Sequence, residues 1–399
     1  MTDLELWKAM LKETINGPYI QRLYEGDISG YLNKEAAVEM LRKFLIRYTN
    51  DAEQVERMVK QSAMFDDEFP VMNSNAQYLS GAFERDMAAF QKYTNRRTGF
   101  KNIDGSLALY PAMYVIGAIS SLGKTTFCLQ MADQLASTGE HVLYFALEQT
   151  RFELVSKSLA RMCQSGDCFI ESLPTAIQIR AGRTSPELRE AMVRYKEIAE
   201  REAIIECDFM TDVNRIIQTV EAYITRYGVK PIVFVDYLQL IRSSNPKLTN
   251  TKDIVDENVR ALKLLQMKQE LIMFVVSSLN RENYLTTIDF QSFKESGSIE
   301  FTSDVVLGLQ LAVLNTKLFE SDAKTTKKRK AVKAAKSENP RRVELCVLKN
   351  RYGISSESFF FDYYPKFDCF IPAEYEAVKA AVSKLVNSIP DDEEKKKPK

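Results

Sequence analysis

The sequence is poor in the residues that metal centres and disulfide frameworks require. Its 399 residues include a single histidine, His141, and six cysteines. The cysteines are scattered and form no C-x-x-C pair: they are Cys128, Cys163, Cys168, Cys207, Cys346 and Cys369. This pattern argues against a structural zinc site and indicates reduced thiols.

The chain also lacks net charge and long hydrophobic runs. It has 54 basic and 54 acidic residues, so no global field attracts nucleic acid or membrane, and any polyanion must be met locally. No run of 18 apolar residues occurs, and the opening "MTDLELWKAMLKET" has no apolar stretch of the kind found in signal peptides. We therefore expect a cytoplasmic protein that does not enter a membrane.

The N-terminal part has helical periodicity and no clear strand. Ala37, Met40, Leu41, Leu45 and Tyr48 follow the spacing of one helix face. We predict a small all-α domain over residues 1–70. A further helix is predicted over residues 75–97, and residues 71–96 are assigned to a linker helix between the two domains.

From about residue 97 the pattern changes to short apolar runs separated by helical stretches. Runs that are apolar on both faces and alternate with helices predict an α/β domain with a mainly parallel sheet, covered on both sides, over residues 97–372. The six runs are residues 113–118, 142–147, 231–237, 271–278, 304–312 and 343–349.

Two segments at the C-terminal side are dominated by charge. Residues 317–342 contain ten Lys or Arg against three acids, and we predict a mobile loop there. Residues 373–399 are predicted to form a C-terminal helix followed by a disordered charged tail, "IPDDEEKKKPK".

The stretch "VIGAISSLGKTTF", residues 115–127, has the features of a phosphate-binding loop between a strand and a helix. Ala118 stands where the pattern G-x-x-x-x-G-K-[ST] has its first glycine, and we expect its methyl group to be tolerated if its φ is negative. The alternative is a chance Gly-Lys-Thr at a helix start, which the flanking strand and helix disfavour. The candidate nucleotide-binding residues are Ser121, Gly123, Lys124, Thr125 and Thr126.

Two acids follow later strands. Glu148 ends the run at 142–147, where a carboxylate can orient and deprotonate a water that attacks a γ-phosphate. Asp236 ends the run at 231–237 in the manner of a Walker B acid, and with the Thr125 hydroxyl it is the candidate Mg²⁺ ligand. Taken alone, each acid is more often a helix cap or a solvated strand end. Their order on one sheet favours an ATP and Mg²⁺ site.

Seven segments together resemble a known family. They are "TGFKNIDG", "GKTTF", "YFALEQ", "VDYLQLI", "SSLNRE", "KESGSIE" and "KNRYG". In this order they are similar to the C-terminal ATPase domain of DnaB-type hexameric replicative helicases. The resemblance implies a RecA-like P-loop NTPase fold, preceded here by the small all-α domain, and an ATP hydrolase that translocates on single-stranded DNA 5′ to 3′ as a ring of six subunits.

The resemblance also implies residue roles. Glu148 matches the acid that activates water, alongside Lys124. Lys349 and Arg351 of "KNRYG" match the basic pair that reaches into the neighbouring subunit's site, so the active form would be an oligomer.

A channel loop is implied as well. Lys294, Glu295 and Gly297 match the loop that holds the backbone of single-stranded DNA. One position departs from the family, because Ser278 stands where the usual S-Q-L-N-R has the glutamine that senses γ-phosphate. A serine is too short to bridge the same gap without water.

Residues 14–68 are similar instead to a helical segment found beside primase-polymerase proteins of phages and mobile elements. This likeness implies a phage or prophage helicase, in a bacterial or phage-infected cytoplasm, that recruits a primase or primase-polymerase. Two other functions stay open: a RecA- or KaiC-like DNA-dependent ATPase without unwinding, and a non-enzymatic ring clamp or loading adaptor.

Overall fold

The computed structural model describes residues 2–12, 17–29, 31, 33–64, 83–94, 96–164, 170–280, 284–293, 296–321 and 324–390. The chain divides into two units, Met1–Met87 and Ala88–Lys399.

The N-terminal unit is helical in its described parts. Its helices are α1 Asp3–Leu11, α2 Gly17–Tyr24, α3 Lys34–Ile46 and α4 Ala52–Gln61. Polar residues fix three of their starts, since the side chains of Thr2, Asn33 and Asp51 accept backbone N–H groups of α1, α3 and α4. The predicted face of α3 packs into a separate hydrophobic core, which also contains Leu6, Met10, Ile20, Leu23, Val55 and Val59. The expected helical character of this region is confirmed.

The helix predicted over 75–97 is described as α5, Phe83–Thr94. Residues 75–82 and Asn95 lie outside the described residues. In the second half of α5, the Phe90 ring stacks on Tyr110 with 4.9 Å between ring centroids.

A nine-stranded sheet organises the second unit. In chain order its strands are β1 Met113–Ala118, β2 Val142–Ala146, β3 Glu202–Glu206, β4 Ile232–Asp236, β5 Met273–Ser278, β6 Val305–Leu311, β7 Arg341–Asn350, β8 Ser358–Tyr364 and β9 Cys369–Pro372. Their order across the sheet is β3-β2-β4-β5-β1-β6-β7-β8-β9. The first six are parallel, and β7 to β9 are antiparallel additions. The predicted mainly parallel sheet and its six strand positions are confirmed.

Helices connect the strands and cover the sheet. They are α6 Lys124–Ser137, α7 Arg151–Cys163, α8 Ala176–Arg180, α9 Pro186–Ala199, α10 Val213–Tyr227, α11 Thr251–Gln269, α12 Ser296–Thr302, α13 Lys317–Glu320, α14 Thr325–Ser337 and α15 Tyr375–Asn387. All residues of β1, β2, β4 and β6 are buried, as expected for strands that are covered on both faces.

The sequence prediction of a mobile loop over 317–342 is wrong for most of that segment. Residues 325–337 form α14, and its Ala331, Val332 and Ala335 are buried in the core of the second unit. These apolar residues recur at helical spacing among lysines and alanines, which favour helix. The high average charge of the window concealed this stripe.

The remaining expectations concern the C-terminus, thiols and membranes. The predicted C-terminal helix is α15, whereas the predicted tail at 391–399 lies outside the described residues. All five cysteines in the described ranges are free, and those ranges contain no cluster of three or more potential metal-ligating His, Cys, Asp or Glu. Among the described helices, none has the length and apolar character needed to cross a membrane.

Candidate nucleotide site

The turn between β1 and α6 has the backbone of a phosphate-binding loop. Ser121 and Gly123 have positive φ angles of 64° and 98°. Gly123 directly precedes α6, and a Cβ there would stand 2.9 Å from the Tyr363 ring. Ala118 is a buried strand residue outside the set with positive φ, so its methyl group is accommodated as predicted. The loop therefore requires glycine at 123 but not at 118.

A cavity of about 310 Å³ opens at this loop. It lies at the carboxyl ends of β1, β2 and β5, where parallel α/β sheets bind ligands. The structure thus brings together all the predicted nucleotide-binding residues and Glu148. Its lining residues are Ser120, Ser121, Gly123, Lys124, Thr125, Thr126, Glu148, Gln149, Lys157, Tyr237, Ser278 and Tyr363.

Lys124 is the cation that the phosphate-binding loop contributes to this pocket. Its Nζ donates a hydrogen bond to the Ala118 carbonyl oxygen at 3.1 Å, so the ammonium lies inside the curve of its own loop. Burial lowers the pKa of Lys124, and the negative charges of Asp236 and Glu148 oppose this shift. The three groups are therefore electrostatically coupled.

Asp236, the last residue of β4, is buried behind the pocket. Burial raises its pKa, whereas hydrogen bonds from the Thr125 and Tyr144 side chains and the charge of Lys124 lower it. The Tyr144 hydroxyl donates to Oδ2 at 2.8 Å, but Oδ1 is buried with no partner at hydrogen-bond distance among the described residues. A buried carboxylate oxygen without a partner, next to a threonine hydroxyl, fits the oxygen ligands that Mg²⁺ prefers.

Glu148 occupies the other side of the pocket. It follows β2 by two residues, is exposed to solvent and lines the cavity. Its position leaves the carboxylate accessible to a water molecule, whereas Asp236 is enclosed. The two acids that look alike in the sequence thus have different surroundings, which suits one to a water and the other to a cation.

The sequence did not identify several pocket residues. Lys157 on α7 donates to the Thr126 hydroxyl at 3.4 Å and pairs with Asp368 at 3.4 Å. Tyr363 comes from β8, a strand that was not predicted, and stacks on Phe370 with 4.1 Å between ring centroids. These residues are distant from the loop in the sequence, so only the fold reveals that they line one cavity with it.

Lys349 and Arg351 do not line the pocket of their own chain. Arg351 Nη1 lies 3.1 Å from Asp304 Oδ1, and the Asp304 Oδ2 accepts from the Met113 N–H at 2.9 Å. Met113 is the first residue of β1, whereas the phosphate-binding loop follows the last residue of this strand. At the usual rise per residue, the two ends of β1 are about 17 Å apart. Lys349 Nζ donates to the Glu300 carbonyl at 2.5 Å. Both cations therefore lie at the opposite edge of the sheet.

The predicted DNA loop is only partly described. Lys294 and Glu295 lie outside the described residues. Gly297 lies in the first turn of α12, so the expectation of a loop is wrong for this position. No described residue stands within 4 Å of a Cβ built on Gly297, so packing within the described part of the chain does not require glycine there. The helix forms because the residues after Gly297 supply an apolar anchor, with Ile299 buried.

Comparison with known proteins gives a consistent picture. The family model of the DnaB-like helicase C-terminal domain matches residues 96–370. The replicative DNA helicase DnaB of Geobacillus stearothermophilus is 30% identical over 223 residues, which is 52% of this chain and 45% of that protein. The DnaB helicase of Pasteurella multocida is 27% identical over 54% of this chain and 46% of its own length. The chain thus spans about half the length of the curated relatives it matches.

Two solved structures share the fold. One, described as an ATPase domain, aligns with a TM-score of 0.60 at 20% identity and covers 76% of this chain and 100% of its own. A DnaB-like replicative helicase, described with its interactions with primase, aligns with a TM-score of 0.59 at 18% identity over 91% of this chain and 81% of its own. The family match extends over most of the second unit, including the phosphate-binding loop, Glu148, Asp236 and Arg351. The chain belongs to the DnaB-like helicase C-terminal domain family.

Proposed function

We propose that the protein is an ATP-dependent replicative DNA helicase, which translocates on single-stranded DNA and separates the duplex as a ring-shaped homohexamer. The observation that carries this proposal is the pocket in which Lys124, Thr125 and Glu148 converge at the carboxyl edge of the sheet, with Asp236 behind them. Membership of the family favours a helicase over other ATPases. The polarity of translocation, 5′ to 3′, is implied by the family alone.

Each group has a defined task in ATP hydrolysis. The backbone N–H groups of the loop and Lys124 bind the phosphates and offset their charge. Thr125 and Asp236 would hold Mg²⁺, which offsets further charge on the β- and γ-phosphates. Glu148 orients the attacking water and accepts its proton, for which its exposed carboxylate is suited.

The arginine that stabilises the transition state comes from a neighbouring subunit in this proposal. Arg351 lies at the sheet edge opposite to its own pocket and its side chain is about half exposed, at 54%. Its guanidinium is held by Asp304, so it is presented in a fixed orientation. Lys349 lies beside it and would join the same contact.

Single-stranded DNA would contact Lys294, Glu295 and Gly297. The N-terminal helical unit would bind a primase or primase-polymerase. ATP and DNA are both polyanions. A chain with no net charge must therefore build the positive surface for each of them locally. The proposed place of action is the cytoplasm.

A forked DNA substrate tests the proposal. With Mg²⁺ and ATP, the wild-type chain is expected to separate the fork, whereas Lys124→Ala leaves it paired. Equal separation of the fork by the wild type and by Lys124→Ala would refute the helicase proposal. Ser278 gives the clamp or adaptor a specific basis, because the family resemblance implies a glutamine at its position. ATP turnover that DNA stimulates without separation would indicate the DNA-dependent ATPase, and DNA binding without turnover would indicate the clamp.

A further inference from the structure

Gln239 connects the end of β4 to the end of β5. It follows Asp236 by three positions, in the short 3-10 turn Leu238–Leu240. Its Nε2 donates to the Ser277 hydroxyl at 2.9 Å, and its Oε1 accepts the Ser278 backbone N–H at 3.1 Å. Both ends of the amide thus bind consecutive residues of β5. Because Ser278 lines the pocket, Gln239 fixes the pocket wall from behind.

The turn that contains Gln239 is tied to the metal-ligand candidate. Leu238 is fully buried, and the Ile241 N–H donates to the Leu238 carbonyl at 3.2 Å. A side chain anchored in the core prevents the turn from moving independently of β4. Displacement of Asp236 would therefore displace Gln239.

On the other side, β5 is tied to the segment that precedes the predicted DNA contacts. Leu279 pairs with Phe293 in an antiparallel bridge. The Asn280 backbone N–H donates to the Ser292 carbonyl at 2.8 Å, and its Nδ2 donates to the Gln291 carbonyl at 3.2 Å. Phe293 immediately precedes Lys294.

Phe293 also packs directly on the strand that leads into the phosphate-binding loop. A Cβ built on Gly117 would lie 2.3 Å from the Phe293 ring, so this glycine leaves the space that the ring occupies. Phe293 is buried in the same core. The residue before Lys294 thus packs on β1 and pairs with Leu279, which follows β5. The backbone connects Asp236 to Gln239, and hydrogen bonds and packing connect Gln239 to Phe293 through Ser277, Ser278 and Leu279.

We propose that Gln239 is a positioning residue that transmits the state of the nucleotide pocket to the DNA-binding segment, through Ser277, Ser278 and Phe293. Its amide, in the turn that follows β4, binds the backbone of Ser278, which lines the pocket. This inference rests on the proposed function, because it presupposes that DNA and ATP are coupled.

The test compares ATP turnover with and without an oligothymidylate single strand. Gln239→Met keeps the size of the side chain but loses both hydrogen bonds. We expect its unstimulated turnover to stay near that of the wild type, while the stimulation by DNA falls by about fivefold or more, the lower range of allosteric coupling factors. Gln54→Met, which removes a buried glutamine with two side-chain bonds in the N-terminal unit, is the matched control and should keep full stimulation.

Two further variants separate coupling from general damage. In Gln239→Glu, the carboxylate can accept from both the Ser278 N–H and the Ser277 hydroxyl, so stimulation should recover. Ser277→Ala removes only one of the two bonds and should lose part of the stimulation, with no additional loss when combined with Gln239→Met. If Gln239→Met does not fold, the stimulation of ATP turnover by DNA in Ser277→Ala still tests the proposal.

The outcomes distinguish the two proposals. If the wild-type chain hydrolyses ATP at a rate that DNA does not change, the helicase proposal fails and the inference falls with it. If DNA stimulates the wild type and also stimulates Gln239→Met and Ser277→Ala to the same extent, only the role of Gln239 is refuted.

Discussion

Gly123 is the residue at which backbone conformation and packing act together. Its φ of 98° disfavours any side chain, and the Tyr363 ring occupies the space where a Cβ would stand. Gly139 has a similar φ of 101° but open space around it. This pair separates the cost of backbone strain from the cost of contact.

We predict that Gly139→Ala lowers the free energy of unfolding by about 1–2 kcal/mol, the usual cost of a left-handed alanine, with nucleotide binding unchanged. Gly123→Ala should destabilise more than this and should also weaken nucleotide binding, because the added Cβ displaces Tyr363, which lines the pocket. Urea denaturation and titration with a fluorescent nucleotide measure both effects. Wild-type affinity in Gly123→Ala would contradict the steric argument.

Asp236 gives the second residue-scale prediction, which concerns pH. Burial holds the pKa of this carboxyl above its usual range. At a pH above the raised pKa, Asp236 is ionised in both the folded and the unfolded state. Only the folded state encloses this charge away from water, so ionised Asp236 costs stability. As pH falls below the raised pKa, the folded state binds the proton first and this cost begins to decrease, and it is gone once pH is below the ordinary pKa of the unfolded carboxyl.

In buffer without Mg²⁺, Asp236→Asn is therefore expected to unfold at a higher temperature than the wild type near neutral pH, although its ATP turnover is lost. The difference should stay constant down to the raised pKa and shrink as pH is lowered from there toward the ordinary pKa of an aspartate. Calorimetric scans across the pH series measure it. A variant that is less stable than the wild type at neutral pH would show that the hydrogen bonds of the ionised carboxylate outweigh its burial.

Sequence was sufficient to predict that Lys124, Thr125, Glu148 and Asp236 lie together at one edge of the sheet, because each follows or ends a strand whose apolar residues are visible in the sequence. It could not identify Tyr363 or Gln239. Their importance depends on which strand ends lie side by side, and that is decided by pairings between distant parts of the chain. Ser278 could be recognised as a departure, but the amide that faces it could not.

At the scale of elements, the same distinction separates strands that were predicted from strands that were missed. The six predicted strands are apolar on both faces because helices cover them. β3, "EAIIE", mixes charged and apolar residues, and its burial varies from residue to residue. β8 alternates, since one of its faces is partly open, and β9 has only four residues. Such strands form because a neighbouring edge is available, which a local pattern does not record.

Helix α14 is the element for which the structure differs most from the sequence prediction, because a helix replaces the predicted mobile loop. Its buried stripe fixes it to the core, and its outward residues include Arg329 and Lys333, both exposed. A fixed basic helix can bind a phosphate backbone with a smaller loss of conformational entropy than a mobile loop. We propose that it contacts the displaced strand or the duplex at the fork.

Arg329→Gln combined with Lys333→Gln is expected to slow fork separation and to reduce the slope of log affinity against log salt by about one to two units, as for one or two lost phosphate contacts. Unstimulated ATP turnover should not change. Arg189→Gln with Lys196→Gln removes two exposed charges from α9 and is the matched control. Equal behaviour of the two double variants would exclude a specific role for α14.

At the scale of the whole molecule, the pocket and Arg351 lie at opposite sheet edges, so under the proposed function a complete site would require two chains. Lys124→Ala retains Arg351, and Arg351→Ala retains an intact pocket. Each alone is expected to lose ATP turnover by about 100-fold or more. In mixed rings, roughly a quarter of the interfaces would pair an intact pocket with an intact arginine.

Equal amounts of the two variants, assembled together, should therefore hydrolyse ATP well above the mean of the separate proteins. Steady-state phosphate release measures the recovery. A mixture of Lys124→Ala with the double variant contains no complete pair and serves as the blank. If the first mixture gives no recovery after subunit exchange, Arg351 does not act across the interface.

Asp304 and Arg351 lie at the start of β1, and the phosphate-binding loop lies at its end. This arrangement determines how many complete catalytic sites an assembly would contain. A lone subunit would contain no complete site, and an open spiral would contain one fewer than its number of subunits. Only closure gives every pocket its arginine. Turnover per subunit would then report the topology of the assembly, rising when the last gap shuts around the strand.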